Sequence, residues 1–348
     1  MGLKELMSVI DKNRQLYIQM HKPPDPDCLA SATVLADMLR SGGYDPTIVY
    51  SGAIGKSETL ELIDVLGINI VRLDAEKNKN LVKPEDQIIV VDCQKENSNV
   101  MHLCGEYIAC IDHHPELVKK DYLYSDIQPE YGACSSMIYT YAVEYGYKIS
   151  PSKAALMIHG IRIDTDDLNR RKYMLDIDCY CALYKIANLE ILSNINKNRI
   201  RPDDISTTIT AYEFLTIKNK VAYSYAGVDK AKESLAELSD RLSSLADVGF
   251  VVVYSKCYYG YVFSVRSQLA EKNAGKIVKH AFASVDGDGG GHATMAGGVI
   301  PKVSFMDLSG DKSVMERVIA LFEDAFEVSD KAEDEMPKHM EMPEEFRK

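Results

Sequence analysis

The chain is predicted to be an α/β protein with two domains. Strand-like and helix-like segments alternate through its first half. One run, Gln87–Val91, is continuous Ile and Val after its first residue, as in a strand covered on both faces. At roughly 150 residues per domain, 348 residues make two, and the pattern restarts after a polar stretch near residue 200.

The elements follow in order. Leu16–Met20 reads as a strand ending in a loop rich in Pro and Asp, and Ala30–Leu39 as a helix closed by Gly42-Gly43. Thr47–Tyr50 is a strand, Glu58–Leu66 a helix stopped by Gly67, and Ile68–Leu73, Gln87–Val91 and Tyr107–Ile111 further strands. Helices are expected over Ser135–Tyr145, Ser152–Arg162 and Cys181–Asn194. This alternation implies βαβ units, right-handed crossovers and a mostly parallel sheet flanked by helices. A linker is expected at 196–208, which carries Pro202-Asp203-Asp204. Beyond it come a strand (Lys220–Tyr225), an amphipathic helix (Ala231–Leu245) and a hairpin (Gly249–Tyr254, Tyr259–Arg266) turning near Ser255–Cys257. A helix over Ala274–Phe282, a glycine-dense stretch from Asp286 to Gly298 and a final helix over Ser313–Phe326 complete a smaller α/β domain. Residues 329–348, with seven acids and four bases, are expected to be a disordered tail.

The net charge is −12, and the body without the tail still carries −9. That argues against holding long duplex nucleic acid, which relies on many Lys/Arg–phosphate contacts. It leaves room for a small phosphorylated substrate. No apolar run approaches the ~18–20 residues of a membrane span, and the N-terminus does not read as a secretory signal. The eight cysteines are scattered without a CxxC pair, so a cytoplasmic, reducing compartment is expected.

Chemistry gathers at strand ends. Leu16–Met20 runs into His21-Lys22-Pro23-Pro24-Asp25-Pro26-Asp27, which offers an imidazole and two carboxylates within seven residues. Asp92 closes the Ile88–Val91 run, the next strand ends in Asp112-His113-His114, and Asp164 follows a helix. Taken singly, each has a plainer reading: Asp25 or Asp27 suits a helix cap, and Asp92 a solvated strand terminus. Together, ligands at the carboxyl ends of strands in an open α/β sheet read as a site. Carboxylate and imidazole donors suit Mn²⁺ or Mg²⁺, with Zn²⁺ or Co²⁺ next. His21, Asp25, Asp27, Asp92, His113 and Asp164 are too many donors for one ion. They suit two ions ~3.5–4 Å apart bridged by a carboxylate.

These four motifs, His21-x3-Asp25-x-Asp27, Asp92, Asp112-His113-His114 and Asp164-Thr165, resemble those of the DHH phosphoesterase superfamily in order and spacing. Gly289-Gly290-Gly291-His292, followed by Ala296-Gly297-Gly298, resembles the signature of the DHHA1 domain that accompanies it. Ser264-Val265-Arg266-Ser267 looks like that domain's substrate-gripping strand. The resemblance implies a DHH domain over 1–195, a DHHA1 domain over 209–328 and an active site in the cleft between them. It also implies two divalent ions, Mn²⁺ foremost. His21, Asp25 and Asp92 would hold the first; Asp27, Asp92, His113 and Asp164 the second. His114, Asp92 and Asp112 would form the catalytic set, His114 touching phosphoryl oxygens and Asp112 orienting the imidazoles. Arg266, Ser267, Gly289, Gly290, Gly291 and His292 would bind substrate. Cys28 stands where the family usually has Ala, and Asp166-Asp167 where a small residue is common.

The function implied is hydrolysis of short oligonucleotides (nano-RNA) or 3′-phosphoadenosine 5′-phosphate by in-line attack of a hydroxide held between the ions. A cyclic-di-AMP or linear dinucleotide phosphodiesterase is the alternative. A processive RecJ-type exonuclease, an inorganic pyrophosphatase and a non-catalytic nucleotide sensor fit less well. A homodimer is compatible with the sequence.

Overall fold

A computed structural model describes residues 2–54, 57–78, 80–116, 121–169, 174–197, 202–305 and 310–334. The chain divides into two compact units, Met1–Arg199 and Ile200–Lys348.

The first unit opens with α1 (Leu3–Ser8), β1 (Leu16–Gln19), α2 (Pro26–Ser41), β2 (Pro46–Tyr50), α3 (Ser57–Leu66) and β3 (Ile70–Arg72). It continues with β4 (Gln87–Val91), β5 (Glu106–Asp112), β6 (Tyr124–Ile127), α4 (Cys134–Tyr145), α5 (Pro151–Asp164), α6 (Met174–Tyr184) and α7 (Leu189–Lys197). Its six strands pair in the order β3-β2-β1-β4-β5-β6, and every pairing is parallel. The Ile/Val run is β4, buried throughout. Successive side chains of a strand point to opposite faces, and β4 feeds two cores: Ile89 and Val91 join Leu29, Leu35 and Ile158 of the helices, while Ile88 and Val90 join Leu73, Val82, Val100 and Leu103. Helices therefore cover one face, and the connections after β3 and β4 cover the other.

Local sequence explains the helix that matters most. Asp25 caps α2 by accepting from the backbone N–H groups of Asp27 and Cys28, both at 3.0 Å, and Pro26 at the first helical position removes an N–H that would otherwise lack a partner. The predicted helix Cys181–Asn194 is instead two, α6 and α7. The Asn188 carboxamide oxygen accepts from the Glu190 N–H at 3.0 Å and starts a new helix there. The edge strand β6 was not foreseen.

The second unit runs α8 (Pro202–Glu213), β7 (Leu215–Lys218), β8 (Val221–Val228), α9 (Lys232–Ser243), β9 (Phe250–Cys257), β10 (Gly260–Ser267), α10 (Ala274–Ala283), β11 (Asp288–Gly291), β12 (Met295–Pro301) and α11 (Gly310–Asp334). Its sheet order is β11-β12-β10-β9-β8-β7. The β8–β9 pair is parallel and joined through α9; the other pairs are antiparallel. One core packs α10 and α11 on the sheet through Phe250, Phe263, Phe282 and Phe322. The other packs α8 and α9 through Ala211, Leu235, Leu238 and Val253.

Three expectations change, and the glycine-dense stretch gains an assignment. The hairpin turns at Tyr258-Tyr259, because Cys257 already pairs with Gly260. The glycine-dense stretch forms β11 and much of β12. The expected linker at 196–208 includes the end of α7 and the first turns of α8, with 198–201 outside the described residues. The final helix extends past Ser329 to Asp334, into the expected disordered tail, whose remainder at 335–348 lies outside the described residues.

Candidate metal centre

The carboxyl ends of the three central strands β1, β4 and β5, with the last turn of α5, deliver the site. His21 follows β1, in a loop whose Lys22 N–H is anchored on the Asn99 carbonyl at 2.7 Å. Asp92 leaves β4 in the left-handed region, φ +60°, with its N–H still paired to the Ile111 carbonyl of β5. That backbone turns a 1 % exposed carboxylate toward both histidines. Its Oδ2 lies 3.5 Å from His21 Nε2, and its Oδ1 lies 3.1 Å from His113 Nε2. Asp25 Oδ2 is 3.5 Å from His21 Nε2, so this residue both caps α2 and faces the site. Asp164 Oδ2 is 3.2 Å from His113 Nε2.

Asp27 is fully buried in the first turn of α2. Its oxygens accept from the backbone N–H groups of Cys134, at 2.6 Å, and Ser135, at 2.9 Å, at the start of α4. Gly160 of α5 lets the helices close: a Cβ there would sit 2.9 Å from both the Cα and the Oδ1 of Asp27.

The described residues group these donors into overlapping sets. Asp27, Asp92, His113 and Asp164 offer atoms within 4.8 Å of one another, and so do His21, Asp25, Cys28 and Asp92. Asp92 belongs to both, one oxygen toward each histidine. The site fits cations on a specific ground: Asp92 Oδ1 and His113 Nε2 are buried and lack a hydrogen-bond partner. They stand 3.1 Å apart without the direction a hydrogen bond needs. His113 Nδ1 is 3.2 Å from the Tyr131 carbonyl, and donation there leaves the lone pair on Nε2, as a ligating histidine requires. Four carboxylates share this pocket, and two divalent ions would neutralise them.

The acids and imidazoles of the pocket shift one another. Burial pushes the Asp27 carboxyl well above its usual range, and the charges of Asp92 and Asp164 push it further. Burial likewise lifts Asp164 to about 6, against the opposing contact with His113. Burial would raise Asp92 too, but His113 and His21 outweigh it and hold this carboxyl well below its ordinary value. For His113, burial lowers basicity, and Asp164 and Asp92 reverse that, to about 12.

His114 is half exposed, with Nδ1 2.8 Å from Asp112 Oδ1. The Gln94 side chain donates to the other Asp112 oxygen, at 2.9 Å, and to the His114 carbonyl, at 3.3 Å. Sequence reasoning missed Gln94, Gly160 and the inclusion of Cys28 in a donor set. The unusual Cys28 was the one visible signal. Asp166 and Asp167 are exposed, and Asp167 accepts from Arg162 Nε at 2.5 Å.

In the second unit, Arg266, Gly289, Gly290, Gly291 and His292 line one groove of about 690 Å³ with Lys232 of α9. Arg266 Nε donates to Asp240 Oδ1 at 2.6 Å. Ser267 stands apart: it is buried, donates to the Leu269 carbonyl and is absent from the groove lining. The glycines form an extended edge strand. Gly289 has α10 against it, 2.6 Å from a Cβ to Val278, whereas a Cβ on Gly290 would meet nothing within 4 Å. Tyr258 and Tyr259 pack edge to face at the β9–β10 turn and are absent from the groove lining. No helix among the described residues is long and apolar enough to cross a membrane.

Residues 15–161 match the DHH family, N-terminal domain, and residues 218–327 match the DHHA1 domain. An uncharacterized protein of Methanocaldococcus jannaschii is 28% identical over 312 residues, 89% of this chain and 62% of its own length. A probable manganese-dependent inorganic pyrophosphatase of Staphylococcus epidermidis is 27% identical over 180 residues, 50% of this chain and 56% of its own. The chain thus spans about three fifths of the length of these curated relatives. Among solved structures, an exopolyphosphatase-related protein from Bacteroides fragilis matches with a TM-score of 0.70 at 18% identity, over 92% of this chain and 94% of that one. RecJ in complex with Mn²⁺ from Thermus thermophilus matches at 0.50 with 12% identity, over 92% of this chain and 53% of that one. Both are likenesses of fold.

Proposed function

We propose that this chain, whose residues 15–161 and 218–327 place it in the DHH family with a DHHA1 domain, is a hydrolase that cleaves the phosphoester bonds of short oligonucleotides or of 3′-phosphoadenosine 5′-phosphate with two divalent ions. The observation that carries this is the placement of Asp92, with one oxygen toward each histidine and Oδ1 without a hydrogen-bond partner.

In this reading His21, Asp25 and Asp92 hold one ion, and Asp27, Asp92, His113 and Asp164 hold the other. Two such ions, when bound, activate water near neutral pH and neutralise phosphoryl oxygens during in-line displacement. The chain's residues do the rest. His114, held by Asp112, presents its imidazole to a phosphoryl oxygen. Asp112 is a positioning residue that Gln94 fixes in turn. In the second unit, Arg266 and the Gly289–His292 edge are the groups suited to bind nucleotide, and the bare Gly290 backbone lets a ligand approach closely. A net charge of −12 supports a small substrate over a long duplex.

The test is hydrolysis by the full chain, stripped of metal and reloaded with Mn²⁺, of 3′-phosphoadenosine 5′-phosphate, a linear dinucleotide, cyclic-di-AMP and pyrophosphate. Phosphate or mononucleotide release from the first two, lost with EDTA and restored by Mn²⁺, is the expected result. Preference for cyclic-di-AMP selects the alternative substrate. Cleavage of pyrophosphate alone, in the manner named for the Staphylococcus epidermidis relative, or full activity after exhaustive chelation, overturns the proposal.

A further inference from the structure

The two proposed metal seats are chemically unequal. Asp27, Asp92, His113 and Asp164 give the second seat oxygen and imidazole donors alone. The first gathers His21, Asp25 and Asp92 around a thiol, Cys28, whose Sγ lies within 4.8 Å of the donor atoms of all three. Donors about 2.1–2.3 Å from one ion stand up to ~4.4 Å apart across it, so this separation is of the scale that a single ion spans. Cys28 is fully buried in the first turn of α2, and Asp25, through its capping bonds, fixes where that turn begins. The Cys28 thiol donates to the Asp25 carbonyl oxygen at 3.4 Å, a weak bond that a cation can replace. Asp92, 1 % exposed, turns Oδ2 to this seat, 3.5 Å from His21 Nε2, and its other oxygen to the second seat.

We propose that Cys28 is a ligand of the first seat and makes it selective for a softer ion, so that the protein loads unlike metals: Zn²⁺ or Co²⁺ at His21/Asp25/Cys28/Asp92 and Mn²⁺ at Asp27/Asp92/His113/Asp164. On binding, the Sγ–metal bond forms as the Sγ–H bond breaks, and the proton leaves to solvent. Thiolate draws zinc and cobalt into a site, whereas carboxylate and imidazole alone also accept manganese. The inference rests on the two-ion reading above.

The experiment uses the full chain, chelated and then titrated with Co²⁺, with bound cobalt counted by elemental analysis and the near-ultraviolet spectrum recorded. Two cobalt ions per chain and a thiolate-to-cobalt charge-transfer band are expected. Cys28→Ala keeps the two ions and loses the band. In competition against Mn²⁺, the variant needs about tenfold more Zn²⁺ to fill one seat, the scale expected when a group that supports a metal is removed. Should Cys28→Ala not fold, Cys28→Ser keeps the size of the side chain and loses the band equally. Two bound cobalt ions without the band in the native chain, or a band that survives in the variant, overturns the role of Cys28 and leaves the two-ion reading standing. Failure to bind cobalt at all overturns both.

Discussion

Gly160→Ala tests the site through a residue that offers no donor. The new Cβ would lie 2.9 Å from Asp27 Cα, 2.9 Å from Asp27 Oδ1 and 2.8 Å from Ser135 Oγ. Carbon atoms in contact prefer about 3.5–4.0 Å, so α5 and the first turn of α2 must separate by roughly 0.6–1 Å. The Asp27 Cα belongs to a helix start pinned by Asp25, so rotating a side chain does not relieve it. Overpacking of this kind costs about 1–3 kcal/mol. At ~2–4 °C per kcal/mol for a unit of this size, Tm falls by several degrees. Function suffers more, because metal–ligand distances tolerate only about 0.2 Å and Asp27 is held between α4 and the seat it serves. Thermal unfolding and elemental analysis on the same preparation provide the assay. Expected are a folded protein, a lowered Tm and loss of one ion of two. A variant with native Tm and two ions per chain refutes the reasoning about helix approach.

Three more outcomes are expected. Asp92→Ala abolishes both seats and lowers kcat by several orders of magnitude while circular dichroism stays native; near-native turnover refutes the bridging role. Arg266→Ala, losing a charge-assisted contact of about 2–5 kcal/mol, lowers kcat/KM on nucleotides at least tenfold and barely alters p-nitrophenyl phosphate; equal losses on both would assign the residue to the chemistry or the fold. In EDTA, stability should fall as pH rises from about 4 to 6. Burial raises the Asp164 pKa from 3.8 to about 6, so its contribution is fully present below the unfolded value and lost as pH passes the folded one. The size is on the order of 3 kcal/mol. Asp27, raised in the same direction, adds to the fall, so Asp164→Asn should make that stretch of the curve shallower, and an unchanged slope in unfolding experiments sinks the account.

The parallel sheet was legible because a buried strand writes itself as unbroken Ile and Val, and because acids and histidines directly after such runs stand at one sheet edge. What stayed hidden depends on neighbours far along the chain. Nothing local marks Gly160 as the place where α5 meets Asp27, or Gln94 as the clamp on Asp112. The edge strand Tyr124–Ile127 is four residues long with alternate burial, too short a signal to separate from a turn. The glycine cluster carried no strand signal because its need for glycine arises from packing. A Cβ on Gly298 would sit 2.4 Å from the Asp288 carbonyl and 2.6 Å from Gly289 Cα. Asn188 divides a helical pattern only because its side chain caps the second piece.

The seats draw on residues from His21 to Asp164, delivered by β1, β4, β5 and α5. No fragment that stops short of α5 contains both, because the second seat needs Asp164, and even Asp27 lacks its wall until Gly160 arrives. Ion binding at these seats is therefore a vote for the finished first unit over every partly folded form. An ion present at a hundred times its Kd adds about 2.7 kcal/mol to that preference, a large share of the ~5–15 kcal/mol that holds an ordinary domain together. Metal supply would then set how much of the chain survives in the cell as well as how fast each surviving copy turns over.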